Sequence, residues 1–156
     1  MFRETVRWRP QQRVRVIAIG IARHRDSILA MRVRDDSGRV KGCRPPGGAV
    51  EFGERAVEAL GREFREEFGT GITVVGAPAV IENLYTHEGA AGYEIVFAFP
   101  IRLDPGWLQD QDEIRVDEGG NSGPVCAWYP IEALVRGAIE LYPDGMRDLL
   151  PHLLPD

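Results

Sequence analysis

The chain has 156 residues, 44% of them apolar and 28% charged, with a formal net charge of -5. That suffices for one ordinary domain with its own core, and the acidic balance offers no bulk attraction to nucleic acid or an anionic membrane. No apolar run approaches the roughly 20 residues of a membrane-spanning helix, and two cysteines, Cys43 and Cys126, make no disulfide framework.

The opening stretch, MFRETVRWRPQQRVRV, carries five arginines. It lacks the apolar segment of roughly 7–15 residues that a secretory signal needs, and Pro10 argues against an amphipathic leader helix. It reads as arginines flanking a first strand in a cytoplasmic protein with reduced, structural thiols. Residues 13–23 and 27–34 alternate as strands, and His24-Arg25-Asp26 turns between them to give a hairpin. Asp35 to Gly38 is a turn cluster, and Pro45-Pro46-Gly47-Gly48 is stiff and then permissive.

From Glu54 to Phe68 the period becomes helical. Val57, Leu60, Phe64 and Phe68 recur at spacings of three and four, which stacks them on one face. Gly69 is the expected C-cap, and Gly61 inside the helix suggests close packing against a strand. Residues 72–86 and 93–103 read as long strands joined through His87 to Gly92. Asp104 to Gly123 reads as a mobile acidic loop with a short strand at 113–116. A last strand at 125–129 leads into short helices at 131–137 and 144–154. The expectation is one domain over 1–156, of α/β or α+β class, with a mixed sheet between helices.

Glu63, Glu66 and Glu67 sit on neighbouring turns of that helix, roughly 110° around from its apolar face. Three like charges destabilise an isolated helix. A hard divalent cation such as Mg²⁺ or Mn²⁺, which prefers oxygen ligands, removes that penalty. The preceding Gly47-Gly48 lets backbone approach a ligand closely. For the three glutamates alone, a solvated face neutralised by Arg62 and Arg65 is the competing reading.

The whole string decides between them. Gly48-x5-Glu54-x7-Arg62-Glu63-Phe64-x-Glu66-Glu67-x-Gly69 resembles the Nudix box, G-x5-E-x7-R-E-U-x-E-E-x-G-U, with U a bulky apolar residue. Only the last position departs, Thr70 standing for an aliphatic residue, and Ile72 is expected to take over its packing. Arg44 to Glu54 looks like the loop of a bacterial, MutT-like Nudix subgroup. Ala127 to Leu134 looks like the family's W-x-P strand-to-helix junction. Glu94 to Phe97 is similar to a strand of that subgroup, although Tyr93 stands where histidine is expected.

The resemblance covers most of 13–150, with the box at 48–70. It implies the Nudix α/β/α sandwich and water attack at phosphorus on a diphosphate linkage in a nucleoside diphosphate derivative. It implies Mg²⁺ (or Mn²⁺) held by the Gly47 carbonyl, Glu63, Glu66 and Glu67. Glu63 or Glu66 would be the base, with Arg62 orienting the glutamates through Glu54. An extra carboxylate from outside the box is expected from Glu118 or Glu94, with Glu113 and Asp117 as competitors. Arg44 is the candidate for a substrate phosphate. Tyr85 and Tyr93 are candidates for the base, and Trp128 a further one, against the alternative of core packing. His87 reads as an exposed histidine with substrate contact as the alternative. The partner is a small nucleotide-type molecule, not a nucleic-acid polymer or a membrane, and the family habit implies a homodimer. A nucleotide-sensing domain without turnover is the alternative function, though such members have lost a box glutamate. An isomerase on the same fold needs a catalytic-cysteine motif not found around Cys43 or Cys126.

Overall fold

Six consecutive residues, Ile17 to Ala22, are buried in β1 (Val14–His24), so this strand is covered on both faces. That double burial organises the rest. The computed structural model describes residues 7–107, 111–118 and 121–154, without the side chains of Asp117, Glu118, Asn121 and Ser122. After β1 come β2 (Ser27–Arg34), β3 (Val40–Arg44), β4 (Gly47–Ala49), α1 (Ala56–Phe68), β5 (Ile72–Val74), β6 (Ala79–His87) and β7 (Ala90–Leu103). β8 (Glu113–Glu118), β9 (Asn121–Pro130), α2 (Ile131–Arg136) and α3 (Met146–Leu153) complete the order.

β1 pairs in parallel with β7 from Val14↔Tyr93 to Ala22↔Ile101, and antiparallel with β4 along Ile17 to Ile19. The expected hairpin to β2 is therefore short. β1 and β2 meet only at Arg23↔Ile28 and His24↔Ser27, because the rest of β1 is occupied elsewhere. β2 goes on to pair with β3 and β9, and β9 with β8. Two strand groups thus diverge from the β1–β2 corner, one β4-β1-β7 with β5 and β6, the other β3-β2-β9-β8.

One core cluster joins Ile17, Ile19, Ile21, Val96 and Ala98 to Leu134 and Leu150 of α2 and α3. The other joins Ala18, Ala22, Phe99 and Ile101 to Ala59, Leu60 and Phe64 of α1. Helices therefore cover both faces of a mixed sheet, the sandwich the sequence implies. Leu60 and Phe64 are fully buried, each contributing about 1.5–3 kcal/mol of transfer free energy.

Several local expectations change. Val57 is 41% exposed, and Ala59 takes its place on the buried face, because the docked stripe runs one position off the four-residue pattern. Gly61 does not pack against a strand; a Cβ there would meet only the Arg65 guanidinium, at 3.3 Å. Thr70 is itself buried, and Ile72 packs in the α1-side cluster as expected. The long strand at 72–86 is broken. β5 and β6 lie along the same edge of β7, but residues 75–78 stand opposite 99–100. Gly76 and Pro78 weaken or forbid ladder bonds there.

β6 and β7 connect through only Glu88 and Gly89, both at positive φ (49° and 81°), the geometry of a tight hairpin turn. The short strand expected at 113–116 is present as β8, two residues longer, and pairs with a β9 that is longer than the strand expected at 125–129. β3 and β4, hidden in sequence by prolines and glycines, form because β2 and β1 offer them open edges.

Candidate active site

α1 carries its acidic edge around one arginine. Gly69 closes the helix at φ 65°, its N–H donating to the Arg65 carbonyl at 3.0 Å. Arg62 Nη2 and Nε donate to the two oxygens of Glu54 at 2.6 and 3.1 Å. Its Nη1 donates to Glu63 Oε1 at 2.8 Å and to Glu66 Oε2 at 3.3 Å. The expected Arg62–Glu54 pairing is thus present, and the same guanidinium spans three carboxylates. These contacts hold Arg62 protonated far above its ordinary range, the bond to Glu54 first, and pull Glu54 below the usual carboxylate value.

The glutamates differ in setting. Glu63 is 16% exposed and Glu66 60%. Glu67 is half-buried, and its charge adds to burial in raising the Cys126 thiol to about 12. Burial alone raises Cys43 to about 12. Thiols so far from their thiolate form are inert.

The glycines fix how closely loop and helix approach. A Cβ on Gly48 would lie 2.3–2.7 Å from the Glu63 carboxyl group, and one on Gly47 would lie 1.9 Å from the Ala18 carbonyl oxygen. In the β1–β4 ladder the Gly20 N–H donates to the Pro46 carbonyl and Val50 N–H to the Val16 carbonyl. Even-numbered residues of β4 therefore bond to β1, and odd-numbered carbonyls point away from it. The Ala49 carbonyl does so, accepting from Arg62 Nη2 at 3.0 Å. Two residues back, the Gly47 carbonyl leaves the same edge.

This donor set is all oxygen, which suits a hard divalent cation. Among the described residues no three carboxylate, histidine or cysteine side chains converge into a cage as they stand; Arg62 holds one oxygen each of Glu63 and Glu66.

A cavity of about 490 Å³ opens between the two strand groups. Arg32, Arg34, Lys41 and Arg44 contribute cations to its wall, Trp8, Tyr85, His87 and Tyr142 aromatic rings, and Asn83 and Glu94 buried polar groups. Tyr85 lies over Gly92, where a Cβ would come within 2.3 Å of its ring. Its hydroxyl is 3.4 Å from Glu94 Oε1. Asn83 Nδ2 is 3.4 Å from Glu94 Oε2, and Arg15 Nη1 is 3.8 Å from Glu94 Oε1. Burial first, then the Glu94 charge, raises the Tyr85 phenol. Lys41 Nζ stands 2.9 Å from His87 Nδ1, so the ring nitrogen accepts and the imidazole is neutral. Burial first, then Lys41, lowers the His87 pKa.

Arg44 and Tyr85 thus line one cavity, and Glu94 is in its floor. Glu94 alternates to the β7 face of Val96 and Ala98, opposite the face that α1 covers. Tyr93 alternates to the other face and does not line the cavity. Glu118 lies in β8, its side chain outside the described residues, as is that of Asp117. Glu113 is exposed and pairs with Arg32. Trp128 packs in the α1-side cluster beside His24. Sequence reasoning missed Asn83, Lys41, Arg15 and Trp8 as lining or supporting residues. Asn83 alone gave a sign, a polar residue at an apolar position of a strand.

The NUDIX domain model matches residues 11–153. An RNA pyrophosphohydrolase of Halorhodospira halophila is 30% identical over a 148-residue alignment, covering 80% of this chain and 79% of that protein. A NUDIX hydrolase from Nitrosomonas europaea shares the fold with a TM-score of 0.59 at 18% identity, over 92% of this chain and 93% of its own. A MutT protein from Bacillus halodurans does so at 0.54 and 21%, over 91% and 83%.

Proposed function

We propose, on the premise that this chain belongs to the Nudix family and is a pyrophosphohydrolase, that it cuts a diphosphate linkage in a nucleotide-type substrate at the acidic edge of α1. The observation carrying this is the Arg62 network, which gathers Glu54, Glu63 and Glu66 beside a glycine strand with an outward carbonyl. Nudix hydrolases are generally divalent-metal dependent. The Gly47 carbonyl, Glu63, Glu66 and Glu67 would hold Mg²⁺ or Mn²⁺ here, which when bound neutralises phosphate charge and lowers the pKa of water.

The chain's own residues supply the rest. Arg62 keeps the carboxylates in register and, being permanently charged, does not take the proton. We assign the base to Glu66. Its 60% exposure admits water, and Arg62 holds only Oε2, at 3.3 Å, leaving Oε1 to accept the proton of the attacking water. Glu63, held at 2.8 Å and largely covered, serves as a fixed ligand.

The cavity is of nucleoside size and receives the remainder of the substrate. Arg44 reaches a phosphate at its wall, Tyr85 and Asn83 meet the base side, and Glu94 accepts from substrate donors in the floor. The 30% identical relative acts on RNA by its name, so a 5′-triphosphorylated RNA belongs beside the expected small nucleotides.

Purified protein should be assayed in Mg²⁺ and Mn²⁺ against nucleoside triphosphates, dinucleoside polyphosphates, ADP-ribose, sugar nucleotides and 5′-triphosphorylated RNA. Turnover of any of them supports the reading; no turnover in either metal sinks it, and ligand binding without turnover would leave a sensor. A cytoplasmic homodimer completes the proposal, checked by sedimentation, where only a 17.4 kDa species would refute the dimer.

A further inference from the structure

We propose that Trp8 is a substrate-binding residue, the stacking wall for the base of the nucleotide, held at the cavity by an ion-paired N-terminal strap. The inference rests on the reading that this cavity receives the substrate. Trp8 precedes β1 and belongs to neither strand group, yet it lines the cavity. It is 55% exposed. A large aromatic left open beside a concave site offers a flat apolar face that a ligand covers at little conformational cost.

The position of that face is fixed from both sides. Arg9 forks onto Asp36, Nη1 at 3.0 Å and Nη2 at 2.5 Å, and the same Nη1 donates to the Trp8 carbonyl at 2.9 Å. Arg7 adds a second ion pair to Asp36 at 3.5 Å, and Pro10, two residues after Trp8, is buried. On the other side the His87 ring lies 5.5 Å from the Trp8 ring, tilted by 58°. His87 in turn is fixed by Lys41, which sets a cation one ring away from the indole. An aromatic face with a neighbouring ammonium group matches the two parts of a nucleotide, base and phosphate. Stacking on an aromatic side chain tolerates any base, so Trp8 supplies affinity for nucleobases as a class.

The test uses the whole chain with EDTA present, titrated with ADP, with GDP and with inorganic pyrophosphate, following tryptophan emission and, in parallel, heat of binding. Emission should be quenched by ADP and GDP and not by pyrophosphate, and the nucleotide quench should vanish in Trp8→Phe, which leaves Trp107 and Trp128 as reporters. In turnover, Trp8→Ala should raise KM on the order of 10- to 100-fold with kcat little changed, and Trp8→Phe should recover most of it. Asp36→Ala should move KM the same way by releasing the strap, and Asp36→Glu should restore it. Nucleotide heat with emission that Trp8→Phe leaves equally quenched, or a Trp8→Ala KM within twofold of the parent, overturns the inference alone. No nucleotide heat at all overturns both the inference and the reading of the cavity beneath it.

Discussion

The acidic edge of α1 and the cavity between the strand groups are built on opposite plans. The first comes from one continuous segment, Gly47 to Gly69, in which a single guanidinium hydrogen-bonds carboxylates no more than eight residues from it in the chain. The second draws Arg44 from β3, Tyr85 and Asn83 from β6, Glu94 from β7, and Trp8 from before β1. Groups that do the same work on every substrate can be fixed by helix spacing and a tight loop. On the proposed function, the groups that would meet the variable part of a substrate come from separate strands, each free to change without disturbing the helix.

Glu66→Gln gives the largest break. It should lower kcat by about 10²–10⁴-fold with KM little changed, as for loss of a general base; a comparable loss from Arg44→Ala would erase the distinction between the two regions. The glycine pair comes next. In Gly48→Ala the new methyl lies nearest the Glu63 carboxyl group, the end of a side chain rather than backbone, so the thermal midpoint should hold while kcat falls on the order of 10²-fold as that carboxylate is pushed out of place. In Gly47→Ala the methyl meets the Ala18 backbone, and calorimetry should show about 1–3 kcal/mol of lost stability.

On the cavity side, Arg44→Ala should raise KM about tenfold or more, as for a lost charge-assisted hydrogen bond, without a matching fall in kcat. The smallest effect concerns acid. The Glu54 pKa lies below its ordinary 4.5, mainly through Arg62 and then through the Glu51 backbone. A depressed carboxylate contributes stability that is present above its unfolded value and lost as pH falls through the folded one. Denaturant midpoints below about pH 4.5 should therefore decline less steeply in Arg62→Ala than in the parent.

This contrast also explains what could be read in advance. The α1 boundaries to within two residues and Gly69 as cap depend on spacing along one helix, which the sequence displays directly, whereas the Arg62–Glu54 pair is implied by the resemblance to the Nudix box. β3 and β4 contain Gly42, Gly47 and Gly48, residues that favour turns; only pairing with β2 and β1 makes them strands. Which way Glu94 and Tyr93 face follows from the 79-residue register between β1 and β7. No window of sequence contains that register. Trp8 carries no signal of its own among the five arginines, because Asp36, which holds it through Arg9, lies 27 residues from that arginine.

The parallel pairing of β1 with β7 has a consequence in time. The glutamate segment leaves the ribosome before β7 does, while β1, whose one edge carries β4, still lacks its other neighbour. Loop closure between residues so far apart is entropically slow. Nascent chains arrested before residue 90 should thus hold every box residue yet digest readily with protease, and resistance should arrive only once residues 90–103 have emerged.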